Sequence, residues 1–359
     1  MIRKLFSGDL PNSKILSGLL TLVLLGLLLT PFIFPGTRAL NVAAKICVFI
    51  VLAASYDLLL GYTGIVSFAH TMFFGIGAYG VGIAMSKFDA GWLPLLLGVL
   101  AAMLVALLLA LLLGLLSLRV RTIFFAMMSL ALASFFVILA SQFSDYTGGE
   151  DGLTFSLPAI LSPGTQFLEE PWMGVDWNGK TLAYYIVFFS SAALFLFCLR
   201  VVNSPFGRVL QAIRENDFRV AAIGFNPVTY RTVGNCLAAL LACLAGALYA
   251  IWLLYVGPDT VLSFDIMIDV LLIVVIGGMG SMYGAAIGAA IFVIAQNYLQ
   301  DGMKLLYGGL EGVPIIANFF HPDRWLLWLG VLFVLSVYFL PTGIVGKLRQ
   351  QKKRRQRHL

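Results

Sequence analysis

Long apolar runs separated by short polar segments dominate this chain. Each run is about 20 residues long, the length that an α-helix needs to cross the hydrocarbon core of a bilayer. Ten runs can be delimited, near residues 15–35, 40–60, 64–86, 92–117, 122–141, 181–201, 232–256, 266–281, 283–300 and 325–341. The pattern predicts an all-α polytopic integral membrane protein with 8 to 10 transmembrane helices, built as a single domain over residues 1–346.

Two pairs of runs are joined by glycine-rich breaks. One break begins at Gly61, and the other lies between residues 277 and 288, where a single long span or a re-entrant element is also possible. Broken helices expose backbone groups that are tolerated only beside protein or water, so paired breaks in the two halves of a membrane protein point to a substrate path. The candidate path residues are Gly61, Gly64, Ser67, His70, Tyr79, Gly277, Gly278, Gly280 and Gly284.

Other glycines are better explained by helix packing. Gly75-x-Gly77-x-x-Gly80 matches a dinucleotide-binding fingerprint as a string, but that fingerprint must follow a strand in a soluble βαβ unit. Here it lies inside an apolar run, where small residues allow helix backbones to approach closely. Gly280, Gly284 and Gly288 are spaced by four and are predicted to share one helix face.

Composition narrows the possible chemistry. The chain is 60% hydrophobic and 11% charged, against about 25% charged residues in soluble domains, which excludes a soluble globule and a disordered chain. Four cysteines without a Cys-x-x-Cys pair and three scattered histidines give no signature of a metal site. The chain also has no P-loop, so we expect it to hold no cofactor and any ATP-Mg to be handled by another subunit.

The net charge of +6 could suggest nucleic acid, but its distribution indicates lipid and membrane topology. Basic residues in short loops mark the cytoplasmic side. With both termini cytoplasmic and ten crossings, that side carries 17 of the 23 Lys and Arg, and the other carries 13 of the 17 acids. The first run is interpreted as a retained span, and residues 347–359 as a basic cytoplasmic tail.

Two polar excursions are too long to be turns. Residues 142–180 are predicted to be external and carry six acids against Lys180 alone. Residues 202–231 are predicted to be cytoplasmic, with one short helix from Phe206 to Ile223. An amphipathic helix at this position can dock into a groove on a soluble partner, or it can lie on the lipid surface.

Ionisable residues deep in the runs are few: Lys45, Asp57 and His70. Ion-coupled carriers usually need buried carboxylates along their path, so this scarcity favours a gate that is driven by other subunits. Two alternatives stay open. One is a stand-alone secondary carrier or facilitator, and the other is a magnesium-dependent intramembrane transferase built on Asp265 and Asp269, which helix-start aspartates explain equally simply.

Four segments, taken in order, carry a family resemblance: residues 61–80, Gly148-Gly-Glu-Asp-Gly-Leu153, Ala212-Ile-Arg-Glu-Asn216 and Gly277-Gly-Met-Gly280. From about residue 40 to 345 the chain resembles the membrane subunits of ABC importers for branched-chain amino acids. The resemblance implies a non-enzymatic permease in the bacterial inner membrane. Its implied partners are a homologous second permease, two cytoplasmic ATPase subunits and a periplasmic solute-binding protein.

The resemblance also implies roles for the two excursions. It assigns contact with the ATPases to Arg208, Arg214, Glu215, Asn216, Asp217, Arg219, Ala221, Ala222 and Gly224. The acidic external residues are candidates for docking the binding protein: Glu150, Asp151, Glu169 and Glu170. Branched-chain amino acids are the commonest cargo of the family, whereas urea, short amides and aromatic acids travel through close relatives, so the residues leave the solute open.

Overall fold

The structure is a computed structural model that describes residues 14–34, 36–117, 122–167, 176–309, 321–340 and 342–348. Its long helices are α1 (Lys14–Ile33), α2 (Thr37–Leu60), α3 (His70–Lys87), α4 (Trp92–Ser117), α5 (Thr122–Gln142), α7 (Gly179–Val202), α10 (Pro227–Leu253), α12 (Phe264–Gly277), α13 (Met282–Gly309) and α14 (Trp325–Phe339). The all-α polytopic fold predicted from the sequence is confirmed.

Short elements connect the long helices. They are α6 (Ser144–Thr147), β1 (Leu153–Thr154), α8 (Pro205–Glu215), α9 (Asp217–Ala222), β2 (Tyr255–Val256) and α11 (Pro258–Val261), with 3₁₀ turns at Ala159–Leu161 and Pro322–Arg324. The strands β1 and β2 form one antiparallel ribbon in which Leu153 faces Val256. This ribbon fastens the external excursion to the end of α10.

Nine segments of the described ranges are long and apolar enough to cross a membrane. The tenth long helix, α3, is less apolar because it carries four glycines and polar residues at both ends, and it packs mainly against α10 and α4. Each of the ten predicted runs contains one long helix. The run predicted from residue 64 begins its helix only at His70, because residues 61–69 form the break.

Helix α2 lies at the centre of the bundle. In its most apolar window 94% of the residues are buried, compared with 28% for α4. The outward face of α4 presents leucines such as Leu96, Leu100 and Leu104. Without water to compete, an apolar exposed face of this kind is suited to lipid or to another membrane subunit.

Helices α3 and α10 approach each other at glycines. A Cβ on Gly77 would collide with the backbone carbonyl of Cys243, and one on Gly246 would collide with the carbonyl of Phe74. The packing interpretation of Gly77 is therefore confirmed. The predicted glycine face of α13 is wrong in one member: Gly280 precedes the helix, and only Gly284 and Gly288 belong to it.

Contacts between helix ends fall into two groups, which define two faces of the bundle. On one face Lys87 Nζ donates to the Asp145 carbonyl at 2.8 Å, and β1 pairs with β2. On the other face Gly280 N–H donates to Asp57 at 2.8 Å. Successive long helices alternate between these faces, so the first group of ends forms the outer face and the second forms the inner face under the predicted orientation.

Candidate coupling surface and translocation path

The polar segment between α7 and α10 forms two helices. Ser204 caps α8 by accepting a hydrogen bond from Gly207 N–H, with Pro205 in the first turn. Asn216 then adopts an extended backbone (φ −163°, ψ 105°), and its side chain accepts from Arg219 N–H to cap α9. The single helix predicted over 206–223 is therefore wrong, because Asn216 acts as a helix cap and not as a helix interior residue.

One side of this segment packs on the bundle. Helix α8 buries Gly207, Leu210 and Ile213, and the Phe206 ring stacks on Tyr230 at 5.6 Å between centroids. Most of the predicted ATPase-contacting residues lie on the opposite, exposed side, and Asp217 is half-buried beside Arg231, whose guanidinium lies 2.8 Å from its carboxylate. The segment is thus a two-helix shelf held against the inner face.

The shelf also exposes aromatic and aliphatic residues that sequence reasoning missed. Phe218 is 88% exposed and Ile223 is 71% exposed. Both flank the arginine Arg219, so an apolar patch with a positive rim faces away from the bundle. Large exposed apolar side chains rimmed by charge are typical of a protein contact. The amphipathic pattern of 206–223 indicated a buried face, but it gave no sign that Phe218 would point outward.

Arg214 links the shelf to the first glycine break. Its guanidinium donates to the carbonyl of Gly61, and its side-chain carbons lie over Gly64. Gly61 directly follows the last turn of α2. Movement of α8 therefore acts directly on the chain between α2 and α3.

The second glycine break meets the first through Asp57. Its Oδ1 accepts a hydrogen bond from Gly280 N–H at 2.8 Å, and a Cβ on Gly61 would collide with both of these groups. Gly280 has φ +78°, a conformation that glycine adopts without strain. Gly277 and Gly284 also bring their backbones together across the turn. Six of the nine candidate path residues thus belong to one inner network.

The other three candidates lie apart from this network. His70 is 1% exposed, its Nε2 lies 2.8 Å from Ser55 Oγ, and its ring is 5.3 Å from that of Tyr56. Ser67 is buried at the start of α3, where its Oγ accepts from Ala69 N–H. Tyr79 lies in the outer half near Tyr255 and Asp259. The fold does not bring these three side chains together.

The external excursion is well ordered where the structure describes it. Glu150 and Asp151 are exposed on a tight turn, and the Asp151 carbonyl accepts from Tyr255 hydroxyl at 3.0 Å. Glu169 and Glu170 lie outside the described residues. Two acids of the predicted docking set are therefore presented to the outside beside the β1–β2 ribbon.

A second polar group missed from the sequence lies in the outer half of the bundle. Lys45 of α2, Asp269 of α12 and Gln296 of α13 form one hydrogen-bonded group, hereafter the Lys45 cluster. Asp265 does start α12, as expected, but Asp269 lies one turn further in. Among the described residues no three His, Cys, Asp or Glu side chains converge as a metal site would require.

Comparison with known proteins identifies the family of this two-break bundle. The sequence model of the branched-chain amino acid transport system permease component matches residues 38–337. The chain belongs to this permease family. No solved structure gives a significant match to it.

Curated relatives of the permease come from bacteria and an archaeon. The high-affinity branched-chain amino acid transport system permease protein LivM of Salmonella typhimurium is 26% identical over 330 residues, which span 88% of this chain and 72% of LivM. A probable LivM of Methanocaldococcus jannaschii is 26% identical over 253 residues, 70% of this chain and 68% of its own length. The permease protein LivH of Escherichia coli is 22% identical over 313 residues, 84% of this chain and 92% of LivH.

Proposed function

We propose that this permease is the membrane subunit of an ATP-driven importer for branched-chain or other hydrophobic amino acids. It forms the translocation path together with a homologous second permease. Two cytoplasmic ATPase subunits drive it, and a periplasmic solute-binding protein delivers the amino acid. The assembly lies in the bacterial inner membrane with both termini of this chain cytoplasmic. Similarity to both LivM and LivH, two permease proteins named for one transport system in Escherichia coli, supports the pairing.

The observation that carries the proposal is the contact between Arg214 and the Gly61 carbonyl. It joins an exposed cytoplasmic shelf to a glycine break inside the bundle. Through Asp57 the same break is joined to the turn at Gly280. A partner that grips the shelf can therefore change both breaks at once, provided that it binds the two states of the shelf with different affinity.

The exposed side of the shelf supports an ATPase as that partner. Phe218 supplies an apolar anchor, and Arg208, Arg214 and Arg219 lie exposed near it. A single exposed aromatic anchor surrounded by polar residues is the usual form of a tight protein contact. At the opposite face, Glu150 and Asp151 present negative charge beside the ribbon, where the binding protein docks.

The test uses the complete importer, with partner permease, ATPases and binding protein, reconstituted in proteoliposomes. We expect the triple variant Arg214→Ala, Glu215→Ala, Asp217→Ala to lose leucine uptake by about tenfold or more while ATP hydrolysis continues, because charge-assisted contacts of about 1.5–3 kcal/mol are removed. The matched control is Arg324→Ala, an exposed arginine at the outer face. Normal uptake by the triple variant would contradict the proposal, as would uptake by the purified chain alone.

A further inference from the structure

The Lys45 cluster places a cation and a carboxylate inside the bundle. Lys45 Nζ donates to Gln296 Oε1 at 2.8 Å, and Gln296 Nε2 donates to Asp269 Oδ2 at 3.0 Å. Lys45 lies eight residues into α2, about 12 Å along the helix axis from its outer end. Ionisable side chains at such a depth are costly and mark function more often than they mark packing.

The two charges are held apart by a neutral bridge. None of the ion pairs among the described residues joins Lys45 to Asp269, although the two attract each other electrostatically. An ammonium has three donors and a carboxylate about four acceptor positions, and each group here has one hydrogen bond with Gln296. Both therefore have hydrogen-bonding capacity left for a ligand, and all three side chains remain half-exposed.

Aromatic rings flank the charges on one side. The Lys45 ammonium lies 5.2 Å from the centroid of the Phe49 ring. The Phe49 ring lies 6.4 Å from that of Tyr249, and the Tyr249 hydroxyl interacts electrostatically with Asp269. An apolar wall thus runs from the cation to the carboxylate.

We propose that the Lys45 cluster binds the zwitterionic head of an aliphatic α-amino acid on its way through the permease. Lys45 takes the α-carboxylate and Asp269 takes the α-ammonium. Gln296, whose amide oxygen and nitrogen now bridge the two, gives up its bridging hydrogen bonds to the ligand. The aliphatic side chain packs against Phe49 and Tyr249. The proposal rests on the function proposed above and adds where, and by which charges, the permease itself recognises an amino acid.

The arrangement discriminates by charge. A zwitterion satisfies both groups, whereas a carboxylic acid without an amine, or an amine without an acid, leaves one charge of the cluster without its partner. Leaving one member of a buried charged pair unsatisfied is far more costly than omitting both. The cluster therefore favours amino acids over neutral amides and simple acids.

The first test separates ligand binding from a purely structural ion pair. In the reconstituted importer we expect Lys45→Met and Asp269→Leu each to lower leucine uptake about tenfold or more. A structural pair would be rescued in the double variant Lys45→Met, Asp269→Leu, because apolar replacement of both partners is often neutral. We expect no rescue, with the complex still assembled on gel filtration; uptake within twofold of wild type in the double variant would overturn the site.

The matched control lies on the same helix. Arg38 pairs with Asp301 at 2.6 Å, and both side chains are exposed at the outer end of α2. The double variant Arg38→Met, Asp301→Leu removes the same charges without touching the Lys45 cluster, and uptake should stay within about twofold of wild type. A loss as large as that of the cluster variants would show a general need for charge in this region and would overturn the assignment.

The second test decides the matter if the apolar variants do not assemble. Gln296→Cys is made after the buried cysteines Cys47, Cys198, Cys236 and Cys243 are replaced by alanine, which leaves both charges in place. A charged methanethiosulfonate reagent then labels Cys at 296 in the assembled importer. Leucine should slow labelling, whereas 4-methylpentanoate, which lacks the ammonium, and 3-methylbutylamine, which lacks the carboxylate, should not. Equal effects of the three, or no effect, would overturn the site.

The two proposals fail in different ways. If the wild-type importer takes up no leucine with its ATPases and binding protein present, the proposed function is wrong. If wild type takes up leucine and the double apolar variant does so equally well, only the Lys45 cluster loses its role.

Discussion

The two halves of helix α2 hold their buried charges in different ways. At the inner end Asp57 is fully buried and accepts from a backbone N–H, that of Gly280. In the outer half Lys45 donates to a side chain, Gln296, and stays partly exposed. A backbone donor cannot leave without moving its turn, whereas a side chain can rotate away within nanoseconds. One end of α2 is thus built to transmit movement, and the other can exchange partners.

The largest expected effect is that of Gly61→Ala. The added Cβ collides with the Asp57 carboxylate and with the Gly280 backbone, and overpacking of this kind costs about 1–3 kcal/mol or more. We expect a clear fall in the yield and melting temperature of the assembled permease complex. Gly26→Ala, where no atom lies within 4 Å of the new Cβ, is the control and should be neutral. Equal stability of both variants would show that the inner end is not tightly packed.

Asp57→Ala should be nearly as damaging. It leaves the Gly280 N–H buried without its acceptor, at a cost of about 1–3 kcal/mol. Asp57→Asn keeps one acceptor oxygen and should retain more of the stability and of the uptake. The measurement is thermal unfolding of the purified complex beside leucine uptake; an Asn variant no better than the Ala variant would show that charge, and not the hydrogen bond to Gly280, is what the inner end requires.

Tyr249→Phe probes the outer half with the smallest possible change. It removes only the hydroxyl that faces Asp269, and a hydrogen-bonding group of this kind is worth about 0.5–1.5 kcal/mol. We expect leucine uptake to fall about twofold to tenfold while the melting temperature stays close to that of wild type. A fall in melting temperature comparable to that of Asp57→Ala would mean that the outer half is as rigid as the inner end.

Arg38→Met gives the smallest effect. Its ion pair with Asp301 is exposed to solvent, and pairs of that kind contribute about 0.2–1 kcal/mol. Unfolding of the complex should therefore change little, and salt should screen whatever difference exists. A loss larger than that of Tyr249→Phe would place an essential contact at the outer end of α2.

Much of the architecture could be predicted from the hydrophobic pattern. Each of the ten apolar runs contains a helix, because a bilayer-length apolar stretch has few other ways to satisfy its backbone. The limits of pattern reading appear at capping residues. Asn216 looked like a member of a continuous helix, but its side chain competes for the next helix start, and the same local competition delays α3 to His70.

The site was predicted only where local sequence determines it. The glycine breaks and the exposed side of residues 205–222 could be read from glycine, proline and charge. The contact of Arg214 with Gly61 and that of Asp57 with Gly280 join residues 153 and 223 positions apart, and no local pattern encodes such a distance. For the same reason Lys45 was noticed as an isolated buried charge, whereas Asp269 and Gln296 were not recognised as its neighbours.

The continuity of α10 has a mechanical consequence. This helix is 27 residues long without an internal break, about 40 Å from end to end. Its inner end leans on the shelf through Tyr230, and its outer end continues into the ribbon strand at Tyr255. Such a rod pivots as a whole, so a tilt begun at the nucleotide side is felt at the docking side in the same stroke, and delivery and power are kept in step by one piece of secondary structure.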